Sequence, residues 1–168
     1  MRRLFLTLAI VGSLGAQVPA PVADPMATMR FLEGDWRGEG DGKPGQSLGT
    51  ASFRFEVEGK VLVRRNLAIS APGSGKPAFH HEDLMTVFVE DGALKGLYLD
   101  NEGHVIRYLV SGSPEGACFI SEPGDGPSYR MTYLRGREDR VTLRFEVAPA
   151  LNPMNFRTYI EATLRKVK

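Results

Sequence analysis

The stretch Phe31–Gly40, FLEGDWRGEG, decides the fold, because it sets the only tryptophan of the chain, Trp36, between an acid and a base among three glycines. A large indole ring with one polar N–H suits the floor of a small barrel, where the ring can be buried and the N–H can still find a partner. We therefore expect Trp36 to begin the first strand and to plug one end of a β-barrel.

Outward from Trp36, the chain alternates between short runs of strand-forming residues and turn signals rich in Gly, Pro, Asn and Asp. About ten strands joined by hairpins favour an all-β, antiparallel up-and-down barrel, because closure removes exposed sheet edges. An open two-sheet sandwich is the alternative. The predicted strands span residues 35–42, 50–59, 61–70, 80–90, 93–100, 104–112, 116–121, 128–135, 139–148 and 156–167.

One segment before the first strand is predicted to be helical. Asp24 can cap a short helix, Pro25 suits its first position, and Gly34 can end it. We expect this segment to act as a lid on one end of the barrel.

The first twenty residues have the layout of a secretory signal peptide, with Arg2 and Arg3 before an apolar run and small residues after it. Cleavage is expected after Ala16 or Ala20, and an uncleaved N-terminal anchor is the alternative. The predicted organisation is a signal peptide over 1–20, a lead-in with a short helix over 21–33 and a lipocalin-like barrel over 34–168. The expected location is periplasmic or secreted.

Charge and cysteine content exclude several classes of protein. Of the 21 basic and 20 acidic residues, the leader holds two basic ones and no acid, so the mature chain would be close to neutral. Without a basic run it lacks the electrostatic footprint for nucleic acid or an anionic membrane surface, and stable membrane insertion is not expected. Cys118 is the only cysteine, so we expect no disulfide and read this thiol as a small buried hydrophobe.

Gly34-Asp35-Trp36 resembles the G-x-W signature of lipocalins and the wider calycin superfamily, and LRKV (164–167) supplies a basic residue in the last strand. The chain most resembles bacterial lipocalin-like proteins of unassigned function and, more distantly, nitrobindins. The resemblance implies that Arg165 lies over Trp36 and closes the barrel.

The nitrobindin resemblance also raises the question of haem. Glu161 stands where the ligating histidine of the last strand would be, and His80 and Glu82 match an H-x-E motif of that family. Because a carboxylate is a rare haem ligand, haem binding is not expected, and we predict no cofactor.

Strand ten leaves two arrangements open. Ile160, Ala162 and Leu164 share one face, whereas Tyr159, Glu161 and Arg165 share the other. If Arg165 meets Trp36 inside the barrel, the polar face points inward and the apolar outer face needs cover, for instance in a homodimer. We favour this arrangement; the alternative is an apolar, packed interior with Glu161 and Tyr159 solvated.

These considerations predict an exported barrel that binds a small amphipathic or hydrophobic molecule. Arg64 and Arg65 point to opposite faces, so one must face inward, where it needs an acidic partner or an anionic ligand. The candidate ligand-binding residues are Arg65, His80, Glu82, Tyr159 and Glu161. An internal ion pair between Arg65 and Glu161 is the alternative.

Other function classes have weaker signals. His80 and Glu82 could converge on a metal only if His104 joined them from another strand, so no metal site is predicted. No serine lies in a strand-to-helix turn typical of a hydrolase. An isomerase or cyclase that uses Glu161, Tyr159 and His80 as acid and base, or a packed structural module, remain the alternatives to a binding protein.

Overall fold

The computed structural model describes residues 24–39, 48–70 and 79–168, in which ten antiparallel strands close into a barrel. Each strand pairs with its neighbours in sequence, and the last pairs with the first. The predicted up-and-down barrel is therefore confirmed, and the sandwich alternative is wrong. The strands are β1 Gly34–Gly38, β2 Leu48–Glu56, β3 Val61–Ser70, β4 Phe79–Glu90, β5 Ala93–Asp100, β6 Val105–Ser113, β7 Gly116–Ser121, β8 Ser128–Arg135, β9 Arg140–Ala148 and β10 Arg157–Lys166.

The predicted signal peptide, residues 1–20, lies outside the described residues, as do residues 40–47 and 71–78. No helix in the described part of the chain is long and apolar enough to cross a membrane.

The helical lid is confirmed as an eight-residue 3-10 helix, Pro25–Leu32. The Asp24 side chain accepts a hydrogen bond from the Met26 amide at 3.0 Å, which satisfies a free N–H of the first turn. Met26, Met29 and Leu32 are buried in the barrel core. A second 3-10 turn, Val57–Gly59, connects β2 to β3.

A glycine allows this helix to pack tightly on the sheet. A Cβ at Gly112 of β6 would lie 2.1 Å from the Thr28 hydroxyl and 2.6 Å from the Met29 methyl. The helix therefore packs directly on the backbone of β6.

The up-and-down order gives the barrel two different ends. The closed end is the one where the N-terminal helix lies, next to the start of β1 and the ends of β2, β4, β6, β8 and β10. The opposite end, where β5, β7 and β9 finish, is called the open end because no helix among the described residues covers it. The connections 101–104, 122–127 and 149–156 lie at the open end.

The β4–β5 hairpin fixes which side chains of these strands face inward. Its two loop residues, Asp91 and Gly92, have φ of 51° and 77°, the left-handed values that a type I′ turn requires. The tight turn sets the register, so that Val87 lies opposite Gly96 and Asp83 opposite Asp100. Because Val87 is in the core and side chains alternate, Asp83 also points into the barrel.

Trp36 is buried at the closed end, and its indole Nε1 donates a hydrogen bond to the Leu32 carbonyl at 2.7 Å. The cation over the ring is Lys166, whose Nζ lies 5.5 Å from the ring centroid. The expectation that Arg165 closes the barrel was wrong. Arg165 follows the buried, inward-facing Leu164 directly, so alternation sends it to the exposed outer face, opposite Arg37.

The same alternation overturns the favoured arrangement of strand ten. Ile160, Ala162 and Leu164 lie opposite Phe145, Leu143 and Val141, which belong to the core or pack against it. The apolar face points inward, and Glu161 points outward.

Replacing Trp36 with alanine should lower the free energy of unfolding by about 3–5 kcal/mol, because a buried ring is lost at the closed end. Trp36→Phe keeps an aromatic ring but loses the hydrogen bond to Leu32. It should lower the free energy of unfolding by about 1 kcal/mol for the lost bond and by a further amount for the smaller ring. Urea unfolding of both variants measures the difference. An unchanged midpoint for Trp36→Ala would contradict the closing role of the indole.

Candidate functional site

A buried ion pair between Arg64 of β3 and Asp83 of β4 occupies the interior of the barrel. Arg64 Nη1 donates to Asp83 Oδ1, and the two side chains are 5% and 2% exposed. Burial alone would lower the pKa of Arg64, but nearby Tyr133 and Asp83 oppose it and raise the pKa above its usual value. The guanidinium is therefore charged, and its charge is balanced by Asp83 within the barrel.

Three further polar side chains connect Asp83 to the open end. Asn66 Nδ2 donates to Asp83 Oδ2 at 2.8 Å, and His81 Nε2 lies 3.4 Å from the same oxygen. His81 Nε2 is also 3.0 Å from the Tyr98 hydroxyl, and its Nδ1 is 3.1 Å from Glu102 Oε1. Burial and the charge of Asp83 raise the pKa of Tyr98, so its phenol is neutral.

Asp100 holds the β5–β6 turn beside this cluster. Its Oδ1 accepts from the backbone amides of Glu102 and His104 at 3.0 and 2.9 Å, and its Oδ2 lies 2.8 Å from His104 Nδ1. The Tyr98 hydroxyl donates to Oδ2 at 3.3 Å. Burial opposes ionisation, but the bonds from His104 outweigh it and hold the pKa of Asp100 below its usual range.

A chain of aromatic rings lies next to the ion pair in the barrel interior. Tyr98, Tyr108, Phe119, Tyr133 and Phe53 form a chain of edge-to-face contacts with centroid separations of 5.6–6.5 Å. Burial raises the pKa of Tyr133 to about 12, against the opposing charge of Arg64. Among the described residues, neither the Tyr133 hydroxyl nor Arg64 Nε has a hydrogen-bond partner.

Apolar side chains on the inner face of the open half are less completely buried than those around the ion pair. Ile160 points inward opposite Phe145 and is still 37% exposed. The rings of Tyr129 and Phe145 stack at 6.0 Å with planes 8° apart, and both keep partial exposure. The inward-facing residues of this kind are Tyr98, Ile106, Tyr129, Phe145 and Ile160. The interior of this half is therefore mostly apolar and less tightly closed than the interior around the ion pair.

The structure does not bring the predicted ligand-binding residues together. Arg65 and Glu82 lie on the outer face, where they line an open groove of about 520 Å³ over β1–β4. His80 is exposed, and its backbone carbonyl accepts a hydrogen bond from Asn101 Nδ2 at 3.1 Å.

The two predicted residues of β10 are also remote from Arg65. Tyr159 lies at the bulge of β10 and is 73% exposed, and its ring packs edge to face with Phe145 at a centroid separation of 6.3 Å. Glu161 forms an ion pair with Arg144 at 2.7 Å, so the alternative of an ion pair with Arg65 is wrong. Two strands, β1 and β2, separate β10 from β3.

One arginine of the Arg64–Arg65 pair faces inward, as predicted, but it is Arg64 and not Arg65. The outer face of β3 carries Val61, Val63 and Leu67. This apolar pattern is typical of a face that points into a core, so it predicts the wrong inward face for β3. The sequence feature that identifies Arg64 as the inward-facing arginine is the Asp91-Gly92 turn. Its register places Asp83 inside, and Asp83 can neutralise only the arginine that shares its face.

No group of three or more His, Cys, Asp or Glu side chains in the described ranges has a geometry that could hold a metal ion. Cys118 is half-buried, and Thr132 Oγ1 lies 3.9 Å from its Sγ. Neither a protein-family model nor a curated protein matches this chain.

Removal of one partner of the buried ion pair should be strongly destabilising. Asp83→Ala leaves the Arg64 charge uncompensated and should lower the free energy of unfolding by about 3–5 kcal/mol. The double variant Arg64→Met/Asp83→Leu removes both charges and should cost less than Asp83→Ala alone. Chemical denaturation gives all three values, and a double variant less stable than the single one would contradict a charge-balanced pair.

The acid side of the stability profile should depend on Asp100. Because its pKa is lower in the folded state, its ionised form stabilises the fold above about pH 4, and that contribution is lost as the pH falls through the folded pKa. Unfolding of the native chain and of Asp100→Asn should therefore differ most above about pH 5 and converge in more acidic buffer. Parallel stability curves between pH 7 and pH 3 would contradict this role.

Proposed function

We propose that the protein binds a small amphipathic molecule inside the barrel, with the open end as the point of access. The observation that carries this proposal is the partial exposure of inward-facing apolar residues, such as Ile160 and Phe145, above a polar cluster. Concave sites with mostly apolar walls and a few fixed polar groups are typical of small-molecule binding.

The polar cluster also defines the polar end of the ligand. Asn66, His81 and Tyr98 keep partial exposure, whereas Arg64 and Asp83 behind them are buried and already balance each other. A carboxylate placed here would add a charge without a free partner, which is costly in a buried site. A hydroxyl or carbonyl group can exchange hydrogen bonds with the amide, the imidazole and the phenol at lower cost.

An acid–base enzyme built on Glu161, Tyr159 and His80 has less support, because these side chains do not converge. The binding proposal retains the expectations from the sequence that the chain is exported to the periplasm or secreted and that it is related to calycins. The Gly34-Asp35-Trp36 motif and the ten-stranded barrel are the support for that relationship.

A fluorescence titration with N-phenyl-naphthylamine, followed by displacement with decanol, tests the binding site. Ala162 faces inward opposite Leu143, whereas its neighbour Thr163 faces outward opposite Thr142, so the two positions form a matched pair. Ala162→Phe should fill the interior below Ile160 and weaken probe binding about tenfold or more, whereas Thr163→Phe should bind like the native chain.

Decanoate should displace the probe less effectively than decanol at neutral pH, because its carboxylate has no free cation at the cluster. Equal loss of binding in both phenylalanine variants, or no saturable binding by the native chain, would contradict the interior site. Stronger displacement by decanoate would retain the site and contradict the neutral polar end.

A further inference from the structure

The connection between β9 and β10, residues 149–156 with the sequence PALNPMNF, lies at the open end of the barrel. Two successive turns order it. The Asn152 amide donates to the Pro149 carbonyl at 2.9 Å, and the Asn155 amide donates to the Asn152 carbonyl at 3.0 Å. The backbone polar groups of the turns are thus partly satisfied internally.

This connection displays its apolar side chains to solvent. Leu151 is fully exposed and Met154 is 81% exposed; Tyr159, just inside β10, is 73% exposed. Among the described residues these are the three most exposed large hydrophobic side chains. Such a concentration at one place differs from the single exposed hydrophobes found on most surfaces.

The base of the connection is anchored to the sheet. The Arg130 guanidinium lies 4.3 Å from the centroid of the Phe156 ring. Below it, Arg130 Nε and Nη2 donate to both carboxylate oxygens of Glu146 at 2.6 and 2.8 Å. A bidentate pair of this kind is geometrically specific, so it fixes the loop base while Leu151 and Met154 project.

The segment also carries little charge. From Val147 to Ile160 the chain carries no acidic residue and one basic residue, Arg157, although the protein as a whole is nearly neutral. A lipid headgroup layer would therefore meet no repelling carboxylate along these residues, and Arg157 could contact phosphate groups.

We propose that Leu151, Met154 and Tyr159 dock the open end of the barrel reversibly on a lipid surface. Leucine and methionine insert into the apolar boundary, and tyrosine suits the interface because one end of its ring is apolar and the other is polar. Docking would bring the open end to the surface from which an amphipathic ligand is drawn. The proposal stands on this connection alone and does not require an occupied interior.

Flotation with phosphatidylcholine vesicles tests the proposal directly. The native chain should float with the vesicles. Leu151→Ser/Met154→Ser should reduce the partition coefficient about tenfold or more, because the variant lacks the two apolar side chains that insert into the lipid. Binding should persist at high salt, since it depends on apolar contact more than on charge.

A matched control removes two exposed apolar side chains from the closed end. Val57 and Val89 are 68% and 40% exposed there, so Val57→Ser/Val89→Ser should float like the native chain. Urea midpoints confirm that both double variants are folded. Failure of the native chain to float, or equal loss in the control, would overturn the proposal.

Sedimentation velocity without lipid distinguishes the other occupant of this surface. The native chain could fail to float and instead self-associate, with the association abolished by Leu151→Ser/Met154→Ser. In that case the β9–β10 connection binds a second copy of the chain, and the lipid proposal is wrong. Because probe binding in the interior is measured separately, failure of docking and failure of the proposed function are distinguishable.

Discussion

The buried ion pair of Arg64 and Asp83 is the constraint on which the rest of the interior depends. Each charge is tolerable only because the other faces it across neighbouring strands, and this requires the β3–β4 register that the structure shows. Asn66, His81 and Tyr98 then bond to Asp83 or to each other, and the cluster extends towards the open end. A shift of β4 by one residue would turn Asp83 outward and leave Arg64 buried without a counter-charge.

The two ends of the barrel differ in how completely their side chains are buried. At the closed end, the N-terminal helix, Trp36 and Lys166 seal an apolar core in which the side chains are almost fully buried. At the open end, inward-facing side chains keep part of their exposure, and the β9–β10 connection presents Leu151 and Met154 to solvent. The packed end supports the fold, and under the proposed function the other end supplies the binding surface.

Much of the fold could be predicted from the sequence, because turn residues and alternation are local signals. The Asp24 cap, the helix before Trp36 and the Asp91-Gly92 hairpin all act over a few residues. The site was harder to predict, because the inward face of a strand depends on its partners. The outer face of β3 carries Val61, Val63 and Leu67, so its hydrophobic pattern alone indicates the wrong side. In β10, the resemblance to calycins favoured Arg165 over Trp36, whereas the pairing of Leu164 with Val141 sets the opposite orientation.

The most direct test of binding inside the barrel is a decanol titration of protein labelled with ¹³C at its isoleucine methyl groups, followed by NMR. Ile106 and Ile160 face the interior of the open half, whereas Ile69 and Ile120 are exposed on the outer face. Saturable shifts of the Ile106 and Ile160 signals, with Ile69 and Ile120 unchanged, are the predicted result. Shifts confined to Ile69 or Ile120, or no saturable shift at any isoleucine, would contradict ligand binding in the interior.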